Sequence, residues 1–179
     1  DVSKNVDAIA LLKSAIDASG YKSSLDAFIG LDVAANNFKS GDQYKIKDRQ
    51  VPLSTDDLVE FYKSLVTEYG LIYLEDPFAE DDWNGWKKLF EALSSQTLIV
   101  GDDLITTNPY RLQIALDNNV INSVIVKPNQ IGTVSETIAV VEIARFKGLK
   151  IVVSHRSGET TDDFIADFAV GVSADYVKF

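Results

Sequence analysis

Three carboxylates in this sequence each come directly after a short apolar run: Asp32, Glu75 and Asp102. Carboxylate oxygens are hard ligands that suit Mg²⁺ or Mn²⁺. The chain has no cysteine and one histidine, so a zinc-type site is not expected. An aspartate after a strand can instead cap the next helix, but glutamate is a poor cap. The three positions together favour a magnesium site, with Mn²⁺ as the other metal that would suit them.

Two lysines, Lys127 and Lys178, follow two further apolar runs. The side chain of Lys127 cannot cap a helix N-terminus. A lysine near other cations and partly removed from water is more easily neutral, as a general base must be. The sequence therefore predicts a catalytic base at Lys127. The alternative is a structural ion pair between this lysine and one of the carboxylates.

The segment after the apolar run at 151–153 carries the only histidine, His155, followed by Arg156 and Ser157. The arginine guanidinium can bind phosphate or carboxylate in a bidentate manner, and the serine adds a hydroxyl near a predicted helix N-terminus. These residues predict an anion site. The alternatives are a plain loop and a histidine that only packs and hydrogen-bonds.

These side chains lie at the ends of six apolar runs that alternate with helical segments. Runs rich in valine, isoleucine and aromatics, separated in this way, are typical of buried parallel strands. In a β/α barrel the C-terminal ends of such strands converge at one face, where reacting groups lie. We therefore expect one α/β domain over residues 1–179. Its length is short for a closed eight-stranded barrel of ~250 residues.

Several helix ends can be predicted from capping patterns. N-terminal caps are indicated at Ser54–Asp57, Asn108–Pro109, Thr133–Glu136 and Thr161–Asp163, and glycine stops at Gly20, Gly70 and Gly148. The long polar stretch at 34–52 is expected to hold a small hairpin around 43–47.

Composition excludes several functions. A net charge of −10 and a pI near 4.5 argue against nucleic acid or an anionic membrane as partner. The absence of cysteine excludes disulfides, and no apolar stretch approaches the ~18 residues of a membrane span. A cytoplasmic location is compatible with this pattern. The chain begins at Asp1 and has no methionine, so we expect it to be a processed, cut or incomplete product.

Four longer motifs resemble the enolase family, in the family's order and over essentially the whole chain. They are LEDPFAEDDW at 74–83, GDDL at 101–104, KPNQIGT at 127–133 and VSHRSGET at 153–160. The resemblance implies a partial TIM-type β/α barrel of about six parallel strands with alternating helices. It also implies Mg²⁺-dependent dehydration of 2-phosphoglycerate to phosphoenolpyruvate, a carbon–oxygen lyase reaction of glycolysis and gluconeogenesis, by a homo-oligomer in the cytoplasm.

The resemblance also implies a role for each candidate residue. Asp32, Glu75 and Asp102 would hold the first Mg²⁺, and Lys127 would remove the proton beside the substrate carboxylate. Arg156 and Ser157 would bind the phosphate, Lys178 would contact the carboxylate, and His155 would lie near the leaving hydroxyl.

The family also has parts that this sequence does not contain. The N-terminal capping domain, the first barrel strands, the C-terminal helices and a glutamate that protonates the leaving hydroxide would lie outside residues 1–179. We therefore expect the isolated 179-residue chain to be inactive. The alternative function is a non-catalytic fragment or interaction module that lacks the acid glutamate.

Overall fold

Strands and helices alternate along residues 2–179, the part of the chain described by the structure, a computed structural model. The helices are α1 (Asn5–Ala18), α2 (Thr55–Tyr69), α3 (Trp83–Leu93), α4 (Pro109–Asn118), α5 (Pro128–Ile131), α6 (Val134–Phe146) and α7 (Phe164–Gly171). The strands are β1 (Gly30–Asp32), β2 (Lys39–Ser40), β3 (Gln43–Tyr44), β4 (Tyr73–Glu75), β5 (Leu98–Gly101), β6 (Ser123–Val126), β7 (Lys150–Ser154) and β8 (Tyr176–Lys178). All six apolar runs are strands, as predicted.

The chain divides into two compact units, one ending at Leu98 and the other covering Ile99–Phe179. In the first unit β1 and β4 pair in parallel, with Asp32 opposite Glu75. The buried face of α2 carries the apolar residues that the helical spacing predicts, among them Leu58, Phe61 and Leu65. The single domain expected over 1–179 stays a prediction.

The polar stretch before α2 contains the expected hairpin, shifted toward the N-terminus. β2 and β3 pair antiparallel, and the ring of Tyr44 at the end of the hairpin is fully buried. The Tyr44 hydroxyl donates to Asp82 Oδ2 (2.8 Å) and accepts from the Ala79 N–H (3.2 Å). Burial and the neighbouring Asp82 carboxylate raise the pKa of this phenol. Asp82 also caps α3 by accepting from the Gly85 N–H, so the hairpin is fixed to the start of that helix.

In the second unit β5, β6, β7 and β8 pair in parallel in that order. Every residue of β6 is buried, as are the last four of β7. Continuous burial of this kind is expected of a parallel strand that is covered on both faces. It explains why these strands are apolar throughout and do not alternate with polar residues.

The predicted helix caps are present at three of four sites. Ser54 forms a reciprocal capping box with Asp57, Asn108 accepts from the first turn of α4, and Thr133 accepts from the Glu136 N–H. At the fourth, α7 begins at Phe164 and its N-cap residue Asp163 forms no side-chain cap bond, but Asp162 Oδ1 accepts from the Phe164 N–H over 2.9 Å. The short helix α5 was not predicted. Among residues 2–179, no helix has the length and apolar character that crossing a bilayer requires.

Candidate active site

Two candidate metal ligands, Asp32 and Glu75, lie side by side at the C-terminal ends of β1 and β4 in the first unit. Because they are register partners in a parallel pair, the two carboxylates extend from adjacent positions at the same end of the strands. Glu75 is 1% exposed, whereas Asp32 is exposed. One carboxylate is thus held inside the protein and the other remains accessible to solvent.

Tyr73 supports the buried carboxylate. It lies two residues before Glu75 on β4, and side chains two apart on a strand point to the same face. Its hydroxyl donates to Glu75 Oε2 over 2.8 Å. The opposite position on β1 is Gly30, where a Cβ would lie 2.9 Å from Tyr73 Cβ and 3.2 Å from its Cδ1. Only glycine leaves room for the tyrosine ring without a shift.

The backbone after these two strands is also joined. The N–H groups of Val33 and Ala35 donate to the carbonyls of Glu75 (2.9 Å) and Asp76 (3.0 Å). Asp76 has φ of +42°, a left-handed conformation that aspartate tolerates better than most residues. These bonds fix the turn that follows each carboxylate, and so fix the direction in which each strand end leaves the sheet.

In the second unit, Asp102 and Lys127 form an ion pair between Oδ2 and Nζ. Both side chains are largely buried, with 11% and 12% of their surface exposed. The pair is the alternative that the sequence left open for Lys127. It also places the predicted base in contact with a predicted metal ligand. A charge buried this far is kept only with a partner, since desolvation of a lone ion is costly.

Two further side chains complete a hydrogen-bonded circuit with this pair. Gln130 donates to Asp102 Oδ1, and Thr107 bonds both Gln130 and the Lys127 backbone. Neither residue was singled out in the sequence. Gln130 lies three residues after Lys127 in a proline-initiated segment, a spacing that could have indicated it. No sequence pattern around Thr107 indicates a role in the site, because the conformation of its loop brings it next to Lys127 and Gln130.

The candidate anion site lies at the ends of β7 and β8. The His155 N–H donates to the Lys178 carbonyl (3.0 Å), and Lys178 pairs in register with Ser154. Arg156 and Ser157 are exposed in the turn that follows, where the Arg156 N–H donates to Glu159 Oε2. The helix α7 begins well past Ser157, so the expected helix N-terminus beside this serine is wrong.

The structure therefore brings the candidate residues together in groups. Asp32 lies with Glu75, Asp102 with Lys127, and His155 with Lys178. The donor set suits a hard divalent cation, since every candidate ligand is a carboxylate. That all three carboxylates bind one ion stays a prediction.

The sequence profile described as "Enolase, C-terminal TIM barrel domain" matches residues 1–179. This match confirms the partial β/α barrel that the resemblance implies. It also confirms the resemblance that the four motifs indicated.

Relatives with high identity are enolases of bacteria. The chain is 44% identical to an enolase of Ehrlichia ruminantium (strain Gardel) and 40% identical to one of Natranaerobius thermophilus, in each case over 178 residues. A further enolase, of Sulfurimonas denitrificans, is 42% identical over 178 residues. Each alignment covers 99% of this chain and 42% of the relative, so the chain spans less than half the length of the proteins it matches.

Proposed function

This chain belongs to the enolase family, and from that premise we propose that its protein is a carbon–oxygen lyase that dehydrates 2-phosphoglycerate to phosphoenolpyruvate. The observation that carries the proposal is the buried contact between Lys127 and Asp102. It joins a potential general base to a potential metal ligand. A structural role alone is a poor explanation for a buried lysine at the end of a strand, because burying its charge is costly.

In the proposed reaction, Lys127 Nζ accepts the proton from the carbon next to the substrate carboxylate. Loss of this proton places a second negative charge on the carboxylate group. Mg²⁺, or Mn²⁺, held by Asp32, Glu75 and Asp102 would supply the positive charge that stabilises it. The lysine lies in a largely buried position, where water competes little for the proton.

The other end of the substrate would be bound by the exposed segment after β7. The Arg156 guanidinium suits a phosphate in a bidentate manner, and the Ser157 hydroxyl adds a donor. Lys178, on the neighbouring strand, would contact the substrate carboxylate, and His155 would lie near the leaving hydroxyl. The exposure of Arg156 and Ser157 leaves both side chains accessible to an incoming anion.

The test is conversion of 2-phosphoglycerate, with Mg²⁺, by the protein that the complete gene encodes. Lys127→Ala should reduce kcat by about 10² to 10⁴, the usual contribution of a general base. Lys147→Ala, which removes an exposed lysine just after α6, is the matched control and should leave kcat unchanged. An active parent together with an unimpaired Lys127→Ala variant would exclude the assigned base.

The metal assignment has its own test in the same protein. Glu75→Gln and Asp102→Asn keep side-chain size and remove the charge, so each should weaken Mg²⁺ binding by more than about 10-fold, measured by titration calorimetry without substrate. Asp117→Asn, at an exposed position near the end of α4, is the matched control. Unchanged affinity in both test variants would contradict the proposed site.

The second candidate function is a non-catalytic or interaction module. It applies to the 179-residue chain on its own, for which we expect little or no turnover, because the acid that the resemblance places outside these residues contributes about 10² to 10⁴ in rate. Normal turnover by the isolated chain would exclude it. A cytoplasmic location, a homo-oligomeric state and the lack of a nucleic-acid partner stay predictions.

A further inference from the structure

Thr107 occupies an unusual place in the second unit. It is fully buried, and both it and Thr106 have positive φ, +52° and +51°. Positive φ is rare for a β-branched residue, because Cβ crowds the backbone, and strain of this kind persists only where surrounding contacts impose it. The contacts of Thr107 therefore hold the backbone in this conformation.

The Thr107 hydroxyl uses both of its hydrogen-bonding capacities within the candidate site. It accepts from the backbone N–H of Lys127 over 2.9 Å and donates to Gln130 Oε1 over 2.6 Å. The first bond holds the main chain at the point where β6 ends and the lysine side chain begins. The second fixes which end of the Gln130 amide faces the threonine.

The orientation of Gln130 then determines how Asp102 is held. With Oε1 engaged by Thr107, the NH₂ group of Gln130 points to Asp102 and donates to Oδ1 over 3.3 Å. Lys127 Nζ contacts the other oxygen, Oδ2. A rotated amide would place its oxygen against the carboxylate, which is electrostatically unfavourable. Each oxygen of Asp102 thus has a different partner, and both partners depend on Thr107.

The loop that carries Thr107 is itself attached to Asp102. The N–H groups of Ile105 and Thr106 both donate to the Asp102 carbonyl, over 3.0 and 2.7 Å. This turn returns the chain to the end of β6 and produces the left-handed pair. The strained backbone is therefore part of a closed circuit that runs from Asp102 through the loop to Thr107, and back through Gln130 and Lys127.

We propose that Thr107 is a positioning residue for catalysis, which sets the place of the base Lys127 directly and the orientation of the metal ligand Asp102 through Gln130. The inference rests on the proposed function, since it gives these two residues their roles. Thr107 acts through its neighbours and has no contact with substrate in this assignment. Its hydroxyl is the required feature, so serine should replace it and valine should not.

The experiment compares Thr107→Val with Thr107→Ser in the protein encoded by the complete gene. Thr107→Val keeps the shape but leaves the Lys127 N–H and Gln130 Oε1 without their partner, and should lower kcat by about 10-fold to 100-fold with little change in KM. Thr107→Ser should recover most of the lost kcat. Thr137→Val is the matched control, since this buried threonine only donates to the Thr133 carbonyl within α6, and kcat should be unchanged.

Gln130→Met provides a second route if Thr107→Val fails to fold. It removes the Gln130 bonds to Asp102 and to Thr107, at a partly exposed position, and keeps the bond from the Lys127 N–H to the Thr107 hydroxyl. It should weaken Mg²⁺ binding by about 10-fold in substrate-free calorimetry. Where Thr107→Val does fold, the double variant with Gln130→Met should lose no more kcat than Thr107→Val alone, because both changes act along one path. If the fold losses in kcat of the two single variants multiply in the double variant, or if Gln130→Met leaves the Mg²⁺ affinity unchanged, the proposal is overturned.

Hydrogen exchange at the Lys127 amide separates this inference from the proposed function. If the parent does not convert 2-phosphoglycerate, the function fails, but exchange can still be measured. Thr107→Val should accelerate exchange at this amide and Thr107→Ser should not. If the parent is active and the valine variant keeps its kcat, or if serine is as impaired as valine, the positioning role is wrong while the function stands.

Discussion

Glu75, one of the proposed metal ligands, is held in a fixed position by a neighbouring side chain. It is almost fully buried, and the hydroxyl of Tyr73 donates to one of its oxygens. A hydrogen bond of this kind fixes the side-chain rotamer of the carboxylate. Groups that hold metal ligands in this manner affect metal affinity although they do not touch the metal.

Replacing Tyr73 by phenylalanine removes the bond to Glu75 and keeps the ring. In the complete protein, Tyr73→Phe should weaken Mg²⁺ binding by about 10-fold to 100-fold, measured by titration calorimetry. Tyr110→Phe makes the same chemical change at a residue that is 81% exposed, and should leave the affinity unchanged. Equal affinities for the parent and Tyr73→Phe would show that this tyrosine does not orient the ligand.

At this scale the sequence predicts the charged groups better than their supports. Asp102 and Lys127 can be found because each directly follows a buried strand. Tyr73 could have been found from the two-residue period of β4. Thr107 could not, since its place depends on two consecutive left-handed residues, and no pattern of residue types indicates that conformation for threonine.

Among the elements, α2 has the most complete N-terminus. The Ser54 hydroxyl accepts from the Asp57 N–H, while the Asp57 carboxylate accepts from the Ser54 backbone N–H and from its hydroxyl. These two bonds from Ser54, first the one from its side chain and then the one from its backbone, lower the pKa of Asp57 from its ordinary value of 3.8. The ionised carboxylate therefore stabilises the folded protein.

Because the folded pKa of Asp57 is lowered, its contribution is complete above pH 3.8 and is lost as the pH falls through the folded value. Ser54→Ala should lower the urea midpoint of unfolding at pH 7 and should lower it less at pH 3. Ser64→Ala is the control, since this serine donates only to a carbonyl within α2. A Ser54→Ala effect of equal size at both pH values would contradict the assigned bonds.

The short helix α5 is followed by Gly132, its C-cap residue, which has φ of +110°. An added Cβ would meet no atom within 4 Å, so the cost of Gly132→Ala comes from backbone conformation alone, about 1–2 kcal/mol. Gly171→Ala, at the end of α7, has equal space and no positive φ, and should be neutral or stabilising. Denaturant unfolding of both variants tests this difference. Equal effects would contradict the conformational argument.

The helix ends that are capped by a side chain could be predicted from the sequence. Those without such a cap were harder to predict. The caps at Asn108 and Thr133 are visible as residue types. The helix α5 has only four residues and no side-chain cap, so its helical period is too short to detect. The start of α7 lies later than predicted, since its N-cap is Asp163 and not Thr161, and the side-chain bond to the Phe164 N–H comes from Asp162.

On the scale of the whole molecule, the edge strand β8 is exposed and apolar in the 179-residue chain. β8 is the last strand of the second unit, and Tyr176, Val177 and Phe179 are each 45–61% exposed. An exposed apolar strand edge is a template for pairing with another chain. The same residues would be harmless if another segment covered them.

We therefore expect the 179-residue chain, prepared alone, to self-associate as its concentration rises. Val177→Lys should reduce association, because a charged edge strand resists pairing, and light scattering over a concentration series would measure it. Val170→Lys changes an 80% exposed valine in α7, away from any strand edge, and is the matched control. A larger reduction from Val170→Lys would assign the association to the helix surface.

The architecture as a whole was accessible from the sequence because the six strands of the parallel sheet are each separated by at least one helix. Short apolar runs such as 124–126, within β6, are typical of parallel strands that are covered on both faces. The division into two units at Leu98 was not accessible. The periodicity of apolar residues indicates which residues are buried. It does not indicate which elements pack against one another, and the boundary between the units depends on that packing.

The missing side chain at Gly30 has a consequence for how this family can vary. Since Tyr73 fills the space beside that glycine, the residue types at these two positions depend on each other. The atom nearest to a Cβ added at position 30 is Tyr73 Cβ, so a side chain there would displace the tyrosine and the hydroxyl that donates to Glu75. Related proteins that keep the tyrosine should therefore keep a glycine at the position of Gly30.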